Sequence, residues 1–237
     1  MKYHRVTATE DSSYVTPGAL QRHAEAGHWT ESAVAEWLRL AGFGLRTHHI
    51  HEDGSPVLNT FGKPKQLGFY AAKDPETGQA RIAGEIDGVI THVPPELRDM
   101  IPVPCLWESK KATAKKCKRF SSVGVEKADA KYYGQIQTCM AYLEIKHTLF
   151  SMLNLDNMEF YWELVPFDPL AAQHITDRAV KVLQSQTPYD LPRITSDTSD
   201  FRCKFCPYKE PCWNDPKEGK LGGTPLPYWI NKGADSG

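Results

Sequence analysis

Apolar residues in this chain switch between helical spacing and strand-like runs, and the order of the switches limits the folds open to it. The stretch "TPGALQRHAEAGHWTESAVAEWLRLAGF" carries Val34, Trp37, Leu38 and Ala41 at helical spacing, and the glycines of "AGFG" stop it. Strand-like runs follow. They are "LRTHHIH", ended by the turn "EDGSP"; "QLGFYAAK" and "ARIAGEIDGVITHV", a hairpin about "DPETGQ"; and "IPVPCLWESKKA". A helix is predicted in "EKADAKYYGQIQTCMAYLEI", with Tyr132, Tyr133, Ile136, Met140 and Leu143 along one stripe. Two more strands, "HTLFSMLNL" and "MEFYWELVPFD", turn at Asp156-Asn157, and "PLAAQHITDRAVKVLQSQ" is a further amphipathic helix. The order helix, strands, helix, two strands, helix predicts a mixed α/β domain, a central sheet flanked by helices. The charged segment after Ala112, to about Glu126, reads as a loop, residues 1–15 as irregular, and no internal repeat is visible.

With 237 residues there is room for one large domain with appendages. The sequence lacks an apolar run of about 18 residues, so no membrane helix is expected. "MKYHRVTATEDSS" lacks the apolar centre of a signal peptide, and a cytoplasmic protein is expected. In that compartment six cysteines point to thiols or metal ligands rather than disulfides. A net charge of −1 argues against indiscriminate nucleic-acid binding. Yet Lys110, Lys111, Lys115, Lys116, Lys118 and Arg119 crowd into "KKATAKKCKR", either a solvated loop or a local phosphate-binding patch.

The stretch "CLWESKKA" raises the sharpest chemical question. Period-two alternation puts Leu106, Glu108 and Lys110 on one strand face, and Cys105, Trp107 and Ser109 on the other. Asp87, between Gly84 and Gly88, lies 21 residues before Glu108 and interrupts another apolar run. Unpaired charges in such runs are costly. Two adjacent strands could aim Asp87 and Glu108 at one point, a pair of carboxylates suited to Mg²⁺. Lys110 beside them could orient an attacking water, assist its deprotonation or stabilise phosphate charge. The alternative is a pair of solvated strand ends.

This Asp…Glu-x-Lys arrangement resembles the signature of the PD-(D/E)xK nuclease superfamily. "GHWTESAVAEWL" resembles the N-terminal helix motif of lambda exonuclease and YqaJ-type viral recombinases, with Gly27 followed four residues later by Glu31. "KYYGQIQTCMAYLEIKHTLFSML" resembles their later helix, where aromatic residues precede Gln-x-Gln. The likeness spans roughly residues 17 to 165. It implies a restriction-endonuclease-like core and a Mg²⁺- or Mn²⁺-dependent DNA exonuclease of phage-type or RecB-like recombination or processing. By it, Glu31, Asp87, Glu108 and the Ser109 carbonyl bind metal, Lys110 assists hydrolysis, and Gln135, with Gln137, faces the site. Lys111, Lys115, Lys116, Lys118 and Arg119 would contact DNA phosphates. A single-strand annealing protein and a homo-oligomeric ring are further implied partners. The alternatives are a CRISPR-associated nuclease that trims spacer precursors and a non-catalytic, metal-stapled DNA-binding adaptor.

Near the C-terminus, "CKFCPYKEPC" spaces Cys203, Cys206 and Cys212 as metal ligands. The spacing resembles iron–sulfur nucleases, AddB and the CRISPR-associated RecB-like exonucleases, where an earlier fourth cysteine closes a 4Fe-4S cluster. Here His23 stands at that place, so the cluster and a Cys₃His zinc site both stay open, with Cys105, Cys117 and Cys139 as alternative fourth ligands. His48, His49 and His51 alternate faces and read as ordinary strand residues. The expected organisation is a nuclease domain over 1–200, a Cys-rich segment packed on it over 201–215, and a Gly/Pro-rich tail over 216–237.

Overall fold

The computed structural model describes residues 18–75, 77–185, 191–204 and 206–213. Residues 1–15, expected to be irregular, and the expected tail from 216 lie outside them. Helix α1 (Gly18–Leu40) buries Val34, Ala35 and Leu38. It ends as the sequence predicts. Gly42 takes φ 88°, and the Phe43 N–H donates to the Leu38 carbonyl at 3.0 Å, the long bond of a left-handed helix stop.

The strands are β1 (Gly44–Arg46), β2 (Gly68–Lys73), β3 (Ala80–Glu85), β4 (Gly88–His92), β5 (Cys105–Ala112), β6 (His147–Asn154) and β7 (Phe160–Pro166). Five of them form the central mixed sheet in the order β1-β4-β5-β6-β7. Its pairs are antiparallel except β5–β6. A parallel pair needs a long crossover, which α2 (Ala114–Ala128) and α3 (Ala130–Leu143) supply. Strands β2 and β3 form a separate two-stranded sheet, the hairpin expected about "DPETGQ". It packs against α3 through Phe69 and Tyr142, whose rings stack at 4.3 Å.

Alternation along β5 divides the core in two. Leu106 joins Phe150, Met152, Phe120, Ile136, Met140 and Ala171, between the sheet and α2, α3 and α4 (Pro169–Gln184). Trp107 faces the other way, with Cys105, Ile90 and Leu149 against Val34, Ala35 and Leu38 of α1. Helix α4 starts where chain chemistry favours it: Asp168 accepts the Leu170 and Ala171 N–H groups, and Pro169 follows.

Three expectations need correction. The run "LRTHHIH" is strand only through Arg46; His48 and Ile50 sit in isolated bridges, and His48, His49 and His51 lie outside the named strands. The run "ARIAGEIDGVITHV" is not one strand: it breaks at Ile86–Asp87, leaving the small sheet as β3 and entering the large one as β4. Gly88 opens β4 under close packing from β1: a Cβ there would lie 2.8 Å from Leu45 Cδ1 and 3.0 Å from the Arg46 carbonyl oxygen. The charged segment after Ala112 is helix α2, not a loop. Cys117, Phe120, Val125 and Ala128 form its buried stripe, while Lys115, Lys118 and Arg119 stay in water. A kink at Gly124 (φ 75°) breaks the stripe's spacing, and Glu163 accepts the N–H of Val125 at 2.8 Å where the helix restarts. Among the described residues no helix is long and apolar enough to cross a membrane.

Candidate active site

The site forms where β4 parts from β5. Their antiparallel pairing ends at Gly88↔Trp107, while β5 runs on to Ala112 beside β6. Asp87, one residue past the last pair, turns back, and its Oδ2 accepts the Ser109 N–H at 2.7 Å. In a strand the N–H and C=O of one residue point to the same edge. The Ser109 carbonyl therefore opens beside Asp87, and Lys110 Nζ donates to it at 3.2 Å.

Glu108 and Lys110 share a face, as alternation predicts. Glu108 is 2% exposed, and its Oε1 accepts from Lys110 Nζ and from Gln135 Nε2, the latter at 2.9 Å. Lys110 Nζ is also 3.9 Å from Asp87 Oδ2. Glu31 approaches from α1, with His28 Nδ1 4.0 Å from its Oε2. A cleft of about 360 Å³ opens above, lined by Glu31, Asp87, Ser109, Lys110, Lys111 and Tyr132 among others.

Electrostatics set the site apart. Burial, then the charge of Asp87, pushes Glu31 up to about 7. Burial and the neighbouring Asp87 likewise push Glu108 up to about 7, against the pull of Lys110. Asp87 is raised by burial, opposed by Lys110 and the Ser109 N–H. Burial works against the charge on Lys110, but Glu108 and Asp87 outweigh it and hold Lys110 above its ordinary range. Perturbation of this kind, in a cleft, marks a candidate functional site.

Three carboxylates and a backbone carbonyl facing one lysine make an oxygen-only donor set with excess negative charge, which fits a hard divalent cation in kind. Among the described residues, Glu31, Asp87, Glu108, His23, Cys203, Cys206 and Cys212 included, no three His, Cys, Asp or Glu side chains are placed together so as to hold a metal ion. At the candidate site it is the Lys110 ammonium that stands between Asp87 and Glu108.

The other sequence-derived residues divide clearly. Gln135 reaches the site; Gln137 does not. Gln137 is fully buried, donating to the Pro166 carbonyl at 2.9 Å and accepting the Asp168 N–H at 2.7 Å, so it fastens α3 to the start of α4. Lys111 lines the cleft, and Lys115, Lys118 and Arg119 are exposed on α2. Lys116 turns inward to Asp129 at 3.2 Å and to the Tyr132 hydroxyl at 3.3 Å. Tyr132 also lines the cleft, a residue that the sequence marks as part of a helical stripe and as one of the aromatics before Gln-x-Gln. Its ring lies 5.4 Å from Lys110 Nζ and 4.4 Å from Lys116 Nζ. Its position three residues before Gln135, on the same helix face, was the available signal.

Cys203 is buried and Cys206 and Cys212 are half-buried, on and beside the short helices α5 (Phe201–Lys204) and α6 (Lys209–Trp213). Burial raises the Cys212 thiol, and the nearby Cys206 and Cys203 add to the effect while Arg193 opposes it. His23 is exposed on α1. Cys105, Cys117 and Cys139 lie in the core; burial pushes the thiols of Cys105 and Cys139 up to about 12, which disfavours their thiolate forms.

No protein-family model matches the chain, and no curated protein matches it. Among solved structures, the chain is similar to LHK-Exo in complex with dAMP, at 14% identity and TM-score 0.40, covering 72% of this chain and 69% of that one. It is also similar to SSO0001, at 13% identity and TM-score 0.40, covering 82% of this chain and 70% of that one.

Proposed function

We propose that the chain is a Mg²⁺-dependent DNA exonuclease of the PD-(D/E)xK type, built on a restriction-endonuclease-like core and acting in DNA recombination or processing. The observation that carries the reading is the junction of Asp87, Glu108, Ser109 and Lys110 at the parting of β4 and β5, joined by Gln135. Glu31, Asp87, Glu108 and the Ser109 carbonyl would hold the ion. Once bound, a divalent ion supplies charge neutralisation at the phosphate and a more acidic water.

The chain's own residues do the rest. Glu108 and Asp87 favour the charged form of Lys110, so it would act as a cation that orients water and phosphate oxygens. Gln135 fixes the Glu108 carboxylate by donating to it. Lys111 at the cleft and the exposed cations of α2 would hold neighbouring phosphates.

The deciding experiment is degradation of 5′- and 3′-labelled linear DNA beside a closed circle, in Mg²⁺ and in EDTA. Metal-dependent loss of the linear DNA alone is expected. Cleavage of the circle would replace exo- by endonuclease action, and no cleavage of any DNA would overturn the reading.

A further inference from the structure

The histidine-containing segment that the catalytic reading leaves unused, residues 47–66, folds back on itself twice. Its legs are pinned by the bridges His48↔Gln66, Ile50↔Pro56 and Leu58↔Pro64. Each turn is fixed from within. Asp53 Oδ1 accepts the Ser55 N–H at 2.9 Å, and Asn59 Oδ1 accepts the N–H groups of Phe61 at 2.9 Å and Lys63 at 3.1 Å. The second turn thus holds Phe61 out at 86% exposure on an ordered tip.

The returning leg carries Lys63 and Lys65, and Lys65 Nζ is 5.6 Å from the ring centre of Tyr70 on β2, itself 47% exposed. Between the arm and the β2–β3 sheet runs a cleft of about 560 Å³, lined by Asn59, Lys63, Lys65, Gln66, Tyr70 and Glu85 among others. The root of the arm abuts the candidate site. Gln66 Nε2 donates to the Ile86 carbonyl at 3.1 Å, the Ile86 N–H donates to the Leu67 carbonyl at 3.0 Å, and Asp87 is the next residue.

We propose that this cleft is a track for single-stranded DNA, with Tyr70 in its lining and Phe61 on the tip outside the lining stacking on bases, and Lys63 and Lys65 meeting phosphates. The choice of occupant follows from chemistry. Two cations oppose one acid along the cleft, which suits a polyanion. Two exposed rings need unpaired base faces, which a duplex hides. The hydrogen bonds of the arm's root to Ile86, the neighbour of Asp87, set the track beside the proposed nuclease site. What the track leads to rests on that reading; binding to it does not.

The test is fluorescence anisotropy of labelled oligo-dT and of a blunt duplex, in EDTA so that nothing is cut. Phe61→Ala with Tyr70→Ala should weaken oligo-dT binding about tenfold or more and leave duplex binding little changed. Lys63→Ala with Lys65→Ala should flatten the log–log salt dependence for oligo-dT by about 0.7 for each phosphate no longer neutralised. Phe61→Trp, which keeps a stacking face, should retain oligo-dT affinity, and unchanged thermal melting serves as the folding control. Wild-type affinity for oligo-dT in both double variants would overturn the track, as would equal losses for oligo-dT and duplex. A protein that binds oligo-dT through the arm yet degrades no DNA in Mg²⁺ would uphold the track and sink the nuclease reading instead.

Discussion

Asp87 and Ser109 are joined at 2.7 Å across the point where two paired strands separate, with a side chain standing in for the missing strand partner of a backbone N–H. Asp87 therefore has a structural duty and a proposed chemical one, and the two are separable. Asp87→Asn keeps an oxygen to accept the Ser109 N–H, so the fold should hold while DNA cleavage falls by about two orders of magnitude or more. Asp87→Ala should lose about 1–3 kcal/mol of stability as well, because the N–H is stranded. Denaturant melts and single-turnover cleavage on both variants check this. Near-normal cleavage by Asp87→Asn would remove it from the site.

Stability should depend on pH through Glu31 and Glu108. Their folded values, about 7, exceed the ordinary 4.5, so the folded chain binds their protons more tightly than the unfolded chain does. Their contribution is therefore full below about 4.5, is lost as pH rises toward about 7, and levels off above. In EDTA, wild type should lose melting temperature between about pH 5 and about pH 8 relative to Glu31→Gln with Glu108→Gln. Added Mg²⁺ should raise the melting temperature more at about pH 8 than at about pH 5.5, since protons compete for the same oxygens. A wild-type curve parallel to that of the double variant contradicts the assignment.

The cations of α2 are not equivalent. Lys115, Lys118 and Arg119 face water, whereas Lys116 is engaged by Asp129 and Tyr132. Alanine at the three exposed positions should reduce the salt slope of duplex binding by about 0.9 for each phosphate left without its cation, for every sequence alike. An unchanged slope means that this face does not touch DNA.

Gln135 and Gln137 should fail in different assays. Gln135→Ala frees the Glu108 carboxylate and should lower cleavage with little effect on melting. Gln137→Ala strands the Asp168 N–H and the Pro166 carbonyl, and should cost about 1–3 kcal/mol in a denaturant melt. Active protein with reduced stability is the expected Gln137 outcome; the reverse pattern would exchange their roles.

For the cysteine segment we propose one metal centre on Cys203, Cys206 and Cys212, with His23 as fourth ligand. Helices α5 and α6 have four and five residues; Arg193 fastens α6, donating to the Cys212 carbonyl at 3.0 Å and lying 4.6 Å from the Trp213 ring, and a metal would add a further fastening. Anaerobically purified protein should contain iron and acid-labile sulfide; stoichiometric zinc would select the Cys₃His version. Neither metal, with unaltered stability in Cys206→Ser, would refute the centre.

Legibility in the sequence followed the range of the interactions. The face shared by Glu108 and Lys110 was readable because strand alternation is local. Asp87 was readable as a charge inside an apolar run, but the strand break beside it was not, because β3 and β4 pair with different partners, β2 on one side and β1 and β5 on the other, and such pairing is not local. Helix α2 hid behind its lysines, and Gly124 disrupts the spacing from Phe120 to Val125 that would have revealed it. Gln137 was open to correction in advance: two residues on from Gln135, it lies about 200° around the helix.

The two-sided core also sets where the molecule opens first. Helix α1 brings Glu31 to the cleft but is anchored by three buried side chains, whereas α3 buries six residues, Gln137 among them. Amide exchange in α1 should therefore outrun exchange in α3, through partial openings that leave the α2–α4 side intact. On gentle heating such openings would withdraw one carboxylate from the site before the sheet yields, so catalytic competence would fade at temperatures where the protein still counts as folded.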